Sequence, residues 1–280
     1  SHYDLIVSSS HAVAKGVRPG AGGYHLCYCH TPMRYAWDQE LAYFPDQNGL
    51  VARLRRRVLA ELRRWDVATA DRVSRYVTNS TFVAERIRRY YGRDAAVLHP
   101  PVDTDYYTPG EGATGDYVLM VSALAPYKRV DLAVQACVRL GVELRIVGTG
   151  PERGRLERLA GSNARFLGRV DAESLRELYR NARCVVQPGV EDFGISSVEA
   201  LACGTPMVAA GRGGILDIVE DGVHGTLYRD EGSAEALAEA IDKTLDLRFN
   251  KLDLRERAEG FSTSRFGEGM RALLDERIET

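Results

Sequence analysis

The stretch that most constrains this chain is residues 184–209, which read CVVQPGVEDFGISSVEALACGTPMVA. An apolar run at 184–186 suits a buried strand. Gly194 stands where a helix begins, and Gly204 with Pro206 stops that helix before a second strand enters. A helix entered this way offers its first free N–H groups, and the positive end of its dipole, to any anion in front of it. The seat itself contains no lysine.

Two carboxylates flank this seat, Glu191 in the loop and Glu199 in the helix, with seven residues between them. A loop carboxylate is ordinarily a solvated cap, and a helical Glu ordinarily a surface residue. Glu199, however, lies between Val198 and Ala200-Leu201-Ala202, in a helix apolar enough to be mostly buried. A buried charge needs partners, so a binding role is expected for it.

The Glu-x7-Glu pattern, with Phe-Gly-Ile after the first Glu and Val-Glu-Ala then Gly-Thr-Pro around the second, resembles the signature of the family 4 retaining glycosyltransferases. The resemblance implies an α/β chain of the GT-B class: two Rossmann-like domains with parallel sheets facing each other across a cleft. It implies that Glu191 lies beside the donor sugar and Glu199 on the nucleotide ribose. The backbone of Gly194, Ile195 and Ser196 then meets the diphosphate.

Composition narrows the partners. The chain has 280 residues, a net charge of −2 and 45% hydrophobic residues, which fits one large or two ordinary domains and gives no basic excess for nucleic acid. Cys27, Cys29, Cys137, Cys184 and Cys203 lack paired zinc spacing and fall mostly in apolar runs, as thiols of a reducing cytosol do. The sequence shows neither a signal-peptide pattern nor an apolar run long enough for a bilayer, so a cytoplasmic location is expected.

Taken in order, residues 3–7 read as a buried strand running into Ser8-Ser9-Ser10-His11, and 24–29 as a second ending at His30. Ligands collect at the carboxyl ends of parallel strands, so both histidines are site candidates. Against that stands the plain reading of an imidazole bonded to a nearby carbonyl. The runs from Ser8 to Gly16 and from Cys29 to Asp38 resemble a bacterial subgroup of the same family described as mannosyltransferases. That resemblance implies that His30, and more weakly His11, faces donor sugar and acceptor.

Residues 50–71 read as a helix with Leu50, Leu54, Val58, Leu62 and Trp65 on one stripe and five arginines around it. The preferred expectation is that the stripe packs inward and the arginines are solvated. Contact with an anionic membrane face is the alternative, and Arg88, Arg89 and Arg93 add basic character nearby. Strands at 73–77 and 95–98 bracket a helix at 81–91. The Asp103-Thr104-Asp105 triplet follows a double proline and reads as linker, not as a metal site.

From residue 117, strands and helices alternate, which predicts a parallel sheet with right-handed crossovers. Lys128 follows the first of these strands, where a diphosphate would lie opposite the Gly194 helix. The resemblance implies an Arg and a Lys at the spacing of Ala123 and Lys128; only Lys128 matches, leaving Arg129 as the candidate substitute. By the same resemblance Arg169 and Val170 meet the nucleobase through their backbone. The glycines of Gly148-Thr149-Gly150 read as a weak signal or a plain turn, and those at 211–214 either precede a helix whose N-terminus is a further phosphate candidate or, equally well, form a plain turn.

The expected domains are 1–105, an acceptor-side Rossmann-like domain shorter than the family's; 106–263, the donor-nucleotide domain; and 264–280, a terminal helix returning to the first. The expected activity is retaining, metal-independent hexosyl transfer, GDP-mannose or a UDP-sugar being the donor and a glycan or lipid-linked molecule the acceptor. Self-association through uncovered strand edges is a further expectation. A donor-binding module without transfer activity is the alternative. An NAD-dependent dehydrogenase fits poorly, because no Gly-x-Gly-x-x-Gly joins an opening strand to a helix.

Overall fold

The computed structural model describes residues 3–44, 48–111, 115–230 and 232–278. The chain divides into two compact units, residues 1–99 and 100–280. Both are Rossmann-like α/β units with parallel sheets, as the GT-B expectation requires.

Unit 1 contains β1 (Leu5–Ser10), β2 (Tyr24–Cys29), the single turn α1 (Glu40–Tyr43), the long α2 (Gly49–Ala68), β3 (Arg75–Thr78), α3 (Thr81–Tyr91) and β4 (Ala95–Val97). Its four strands lie in sequence order, all parallel. Ser80 caps α3 by accepting from the Val83 N–H, and Gly92 ends it in the left-handed conformation. Cys27 and Cys29 share one face of β2 and pack on Tyr76, Val83 and Ile87.

Beneath α2 lies a buried ion pair. Lys15 Nζ is 3.0 Å from Asp66 Oδ1, with side chains 1% and 0% exposed. Asp66 Oδ2 also accepts from Trp37 Nε1 and Tyr91 OH, each at 2.9 Å. Lys15 Nζ donates to Thr69 Oγ1 at 2.9 Å and lies over the Tyr91 ring.

Two expectations for unit 1 are corrected. The first strand runs Leu5–Ser10 and is not a buried strand: it is the edge of its sheet, with Leu5 and Val7 exposed. The stripe of α2 packs inward only at its far end: Leu50, Leu54 and Val58 are exposed, whereas Leu62 and Trp65 are half-buried against Met33, Ala36 and Leu59. The fully buried seam of α2 is Ala52, Leu59 and Asp66 at intervals of seven, with Asp66 carrying the ion pair.

Unit 2 contains β5 (Tyr117–Val121), α4 (Val130–Leu140), β6 (Glu143–Val147), α5 (Arg153–Ala160), β7 (Ala164–Gly168), α6 (Ala172–Asn181) and β8 (Cys184–Gln187). It continues through α7 (Ile195–Ala202), β9 (Met207–Ala210), β10 (Gly225–Tyr228), α8 (Ala234–Asp246), α9 (Lys251–Glu259) and α10 (Thr263–Ile278). The parallel sheet has the order β10-β9-β8-β5-β6-β7. Alternate residues of each central strand enter opposite cores: Leu119, Val185 and Met207 one, Val118, Val186 and Val208 the other. Burial on both faces explains why these strands read as unbroken apolar runs.

The strand order reverses direction between β5 and β8. In sheets of this kind the chain leaves the two central strands on opposite faces, opening a crevice outside their carboxyl ends. The segments after β5 and β8 therefore define the place to look for a ligand.

Candidate nucleotide-binding site

After β5 the chain makes a short 3-10 turn, Pro126–Lys128, and Arg129 then adopts φ +52, the one non-glycine positive φ among the described residues. A side chain pays for that conformation, which makes the loop a specified feature and not a slack connection. The turn delivers the Lys128 amine to the Glu191 carboxylate, forming an ion pair whose side chains are 18% and 17% exposed. Gly189 makes this approach possible. A Cβ there would lie 2.8 Å from the Tyr127 carbonyl oxygen and 2.9 Å from Lys128 Cα, so only glycine lets the two loops touch.

The Glu191 loop leads through Gly194, at φ +108, into α7. No side chain caps this helix. The Ile195 and Ser196 N–H groups have no acceptor within their own helix, and the positive end of its dipole lies beside them. Gln187, at the end of β8, fixes the turn: its Oε1 accepts from Ser197 Oγ at 2.7 Å and packs against Gly194. Lys128, Glu191, Ser196, Gln187, Gly189 and Ser122 line one small pocket at the carboxyl ends of β5 and β8. A cation, a carboxylate and an open helix N-terminus are thus assembled where the topology puts a crevice, an arrangement suited to a phosphate-bearing ligand.

Glu199 lies one turn further along α7 and is half-buried. Its Oε2 accepts from Tyr179 OH at 2.8 Å, and Tyr107 is its second phenolic partner. Burial raises the Glu199 pKa above the ordinary value, and the two phenols oppose that rise. The carboxylate is therefore partnered inside the protein, which the sequence did not reveal: nothing in the spacing of Tyr107, Tyr179 and Glu199 links them.

Other anticipated residues fall elsewhere. Arg129 is turned to Asp131, with Nε 3.2 Å from Oδ1, so its guanidinium is held beside α4. Ala123 is exposed at the end of β5. Arg169 is exposed and Val170 half-buried after β7, the edge strand separated from β8 by β6 and β5. Of the two readings of the glycines at 211–214, the plain turn is the one the structure shows. These glycines lead into a four-residue 3-10 turn, Gly214–Asp217, and the Gly214 N–H supports the Glu191 carbonyl at 2.9 Å. Gly148-Thr149-Gly150 is a plain turn, its Thr149 carbonyl accepting from the Leu124 N–H.

In unit 1, His30 follows β2 with its Nε2 2.7 Å from Ser9 Oγ, and Asn79 Nδ2 donates to the His30 carbonyl at 3.0 Å. His11 is exposed after β1. Asp103 and Asp105 are exposed, and Asp103 Oδ1 accepts from the Tyr106 N–H as a turn residue does. Among the described residues no group of three or more His, Cys, Asp or Glu is placed to hold a metal ion. All five cysteines are buried free thiols, and burial pushes Cys27 up to about 11, far from a reactive thiolate.

Solved structures share this fold across nearly the whole chain. Sucrose-phosphate synthase from Thermosynechococcus elongatus matches with a TM-score of 0.75 at 19% identity, covering 99% of this chain and 74% of that one. Anabaena Alr3699/HepE in complex with UDP matches with a TM-score of 0.74 at 21% identity, covering 98% and 79%. By sequence, the D-inositol 3-phosphate glycosyltransferase of Geodermatophilus obscurus is 37% identical over 205 residues, 61% of this chain and 45% of that protein. Its counterpart in Mycobacteroides abscessus is 34% identical over 223 residues, 69% and 50%. The chain thus spans about half the length of the curated relatives it matches. Residues 109–261, more than half of the chain and all of the pocket just described, match the model of the glycosyl transferases group 1, and the chain belongs to that family.

Proposed function

We propose that this protein is a glycosyltransferase that moves a sugar from a nucleotide-diphosphate donor to a glycan or lipid-linked acceptor with retention and without a metal ion. The observation that carries this reading is the convergence of Lys128, Glu191 and the uncapped α7 N-terminus on one pocket at the β5/β8 reversal. Lys128 and the N–H groups of Ile195 and Ser196 neutralise the departing diphosphate, the role metal ions fill elsewhere. Glu191 positions the donor sugar, and Glu199, held by Tyr179 and Tyr107, receives the ribose hydroxyls. Arg169 and Val170 present backbone to the base. The acceptor hydroxyl attacks from the leaving-group face, its proton passing to the diphosphate, and His30, with His11 the weaker candidate, serves donor sugar and acceptor. The domains are read as 1–105 for the acceptor, 106–263 for the donor nucleotide and 264–280 as a terminal helix.

Mannose from GDP-mannose is the first donor to test, with UDP-sugars second. The relatives named as D-inositol 3-phosphate glycosyltransferases agree with sugar transfer as the class of reaction. The cytoplasm is the proposed site of action, where such donors are found. Titration calorimetry with GDP, UDP and NAD, with and without chelator, followed by sugar transfer from the bound donor, tests the proposal. Nucleotide-diphosphate binding that survives chelation and is weakened by Lys128→Ala and Glu199→Ala supports it. Intact folded variants with unchanged affinity, or a strict need for a divalent ion, refute it. A second reading, a donor-binding module without transfer, is favoured by Ala123 where a second cation was expected; binding without turnover identifies it.

A further inference from the structure

A cavity of about 220 Å³ opens at the amino-terminal ends of β8 and β9, the opposite end of the sheet from Lys128 and Glu191. The connections that enter these strands build it. Arg180 and Arg183 come from the passage between α6 and β8, Gly204 from the turn between α7 and β9, and Lys251 from the start of α9. Leu245 and Phe249 supply an apolar wall. Among the described residues three cations line the cavity and no acid does.

Contacts within the protein account for these cations unequally. Arg180 is fully engaged, with Nε and Nη2 donating to Thr108 and Nη1 to Glu177. Arg183 donates only from Nη2, to the Leu245 carbonyl at 3.0 Å, which leaves Nε and Nη1 free. Lys251 has neither hydrogen bond nor ion pair among the described residues, and yet it is half-buried. Its stem lies along Gly204, where an added Cβ would meet the Lys251 Cβ and Cγ at 3.2 Å. A lysine that needed only solvation would carry its amine out into water.

We infer that this cavity is a second anion site, taking a small phosphate on Lys251 and the free edge of Arg183. An ammonium beside a guanidinium fork is the donor set that phosphate oxygens accept from. The volume is below the ~300–1,000 Å³ of ordinary ligand pockets and above what a bare phosphate ion fills. With the Leu245 and Phe249 wall, it suits a phosphate ester carrying a short organic remainder.

The test is titration calorimetry of the whole chain with glycerol 3-phosphate and with inorganic phosphate, at fixed ionic strength. Saturable binding is expected with a Kd of about 1 mM or below. Tighter binding of glycerol 3-phosphate assigns the site to an ester, and tighter binding of inorganic phosphate assigns it to the free ion. Lys251→Gln is expected to weaken binding about tenfold, the worth of one hydrogen bond to a charged group, and Lys251→Arg to retain it. Arg183→Gln is expected to weaken it as well, but that change also removes the bond to Leu245, so Lys251→Gln, which breaks no such bond, is the deciding variant. Lys243→Gln, an exposed lysine of α8 outside the cavity, is expected to leave binding unchanged. The titration is repeated in Lys128→Ala, which removes the cation of the nucleotide-binding pocket; binding is expected to persist there. No saturable binding, binding lost in Lys128→Ala, or affinity indifferent to Lys251→Gln overturns the inference. No nucleotide or sugar transfer enters the measurement, so this inference and the proposed activity fail separately.

Discussion

The Lys15–Asp66 pair is the feature of unit 1 whose removal has the most predictable cost. Both side chains are essentially without solvent, so deleting either leaves the other's charge buried, a loss of about 3–5 kcal/mol for such pairs. The geometry ranks the two deletions. In Lys15→Met the Asp66 carboxylate keeps the Trp37 and Tyr91 donors, which places the loss near the lower end, ~3 kcal/mol. In Asp66→Leu the ammonium keeps neutral oxygens and two aromatic rings, and Trp37 and Tyr91 lose their acceptor, which places it near ~5 kcal/mol. The double variant is expected to cost less than the sum of the two, because neither charge remains to be stranded. Trp37 and Trp65 are the chain's two tryptophans and both touch this pair, so urea unfolding followed by tryptophan emission reports on unit 1. A Lys15→Met transition shifted by less than ~1 kcal/mol, or strict additivity in the double variant, refutes the argument.

Three further outcomes are expected. Gly189→Ala forces a Cβ onto the Tyr127 and Lys128 backbone, and is predicted to cost unit 2 about 1–3 kcal/mol and to weaken nucleotide binding; full affinity in calorimetry contradicts this. Glu191→Gln frees Lys128 from its partner and is predicted to tighten binding of a nucleoside diphosphate by up to about fivefold, the worth of a partly exposed ion pair, while abolishing transfer; weaker diphosphate binding counts against the site. Because burial raises the Glu199 pKa, this group's contribution to stability is present below the ordinary carboxylate pKa and is lost as pH rises through the raised folded value. Glu199→Gln is therefore predicted to gain in stability relative to the parent as pH rises from the unfolded carboxylate value of about 4.3 through the raised folded value, and a constant difference in urea melts excludes it.

What the sequence displayed was governed by local rules. The strands of unit 2 are buried on both faces and so appear as apolar runs, and their alternation with helices implies the parallel sheet directly. Glycine and proline marked the ends of α7, and Ser80 and Gly92 those of α3. What stayed hidden depended on distance along the chain. Lys15 meets Asp66 across 51 residues, and a lone lysine in a serine-rich segment has the composition of a surface residue. The α2 stripe has the correct helical period, but period fixes which residues share a face and not which face the fold covers. The Glu199 phenols come from α6 and from the segment before β5, so its partners were invisible although its need for partners was not.

Lys128 and Glu191 were placed in the sequence as separate contributors, one for diphosphate and one for sugar, and their pairing joins those tasks. Under the proposed function, a diphosphate entering the pocket competes with Glu191 for the same ammonium group, and its charge is repelled by the carboxylate it approaches. The competition is mild because both side chains retain some solvent. It nevertheless has a direction: as Lys128 turns to phosphate, Glu191 loses its cation and seeks a new donor in the pocket. The hydroxyls of a donor sugar are such donors. Nucleotide alone leaves the carboxylate unsatisfied, whereas a nucleotide sugar supplies both the anion that takes the lysine and the hydroxyl groups that satisfy Glu191. Under the proposed function, discrimination between nucleotide and nucleotide sugar resides in one ion pair, which the close approach at Gly189 permits.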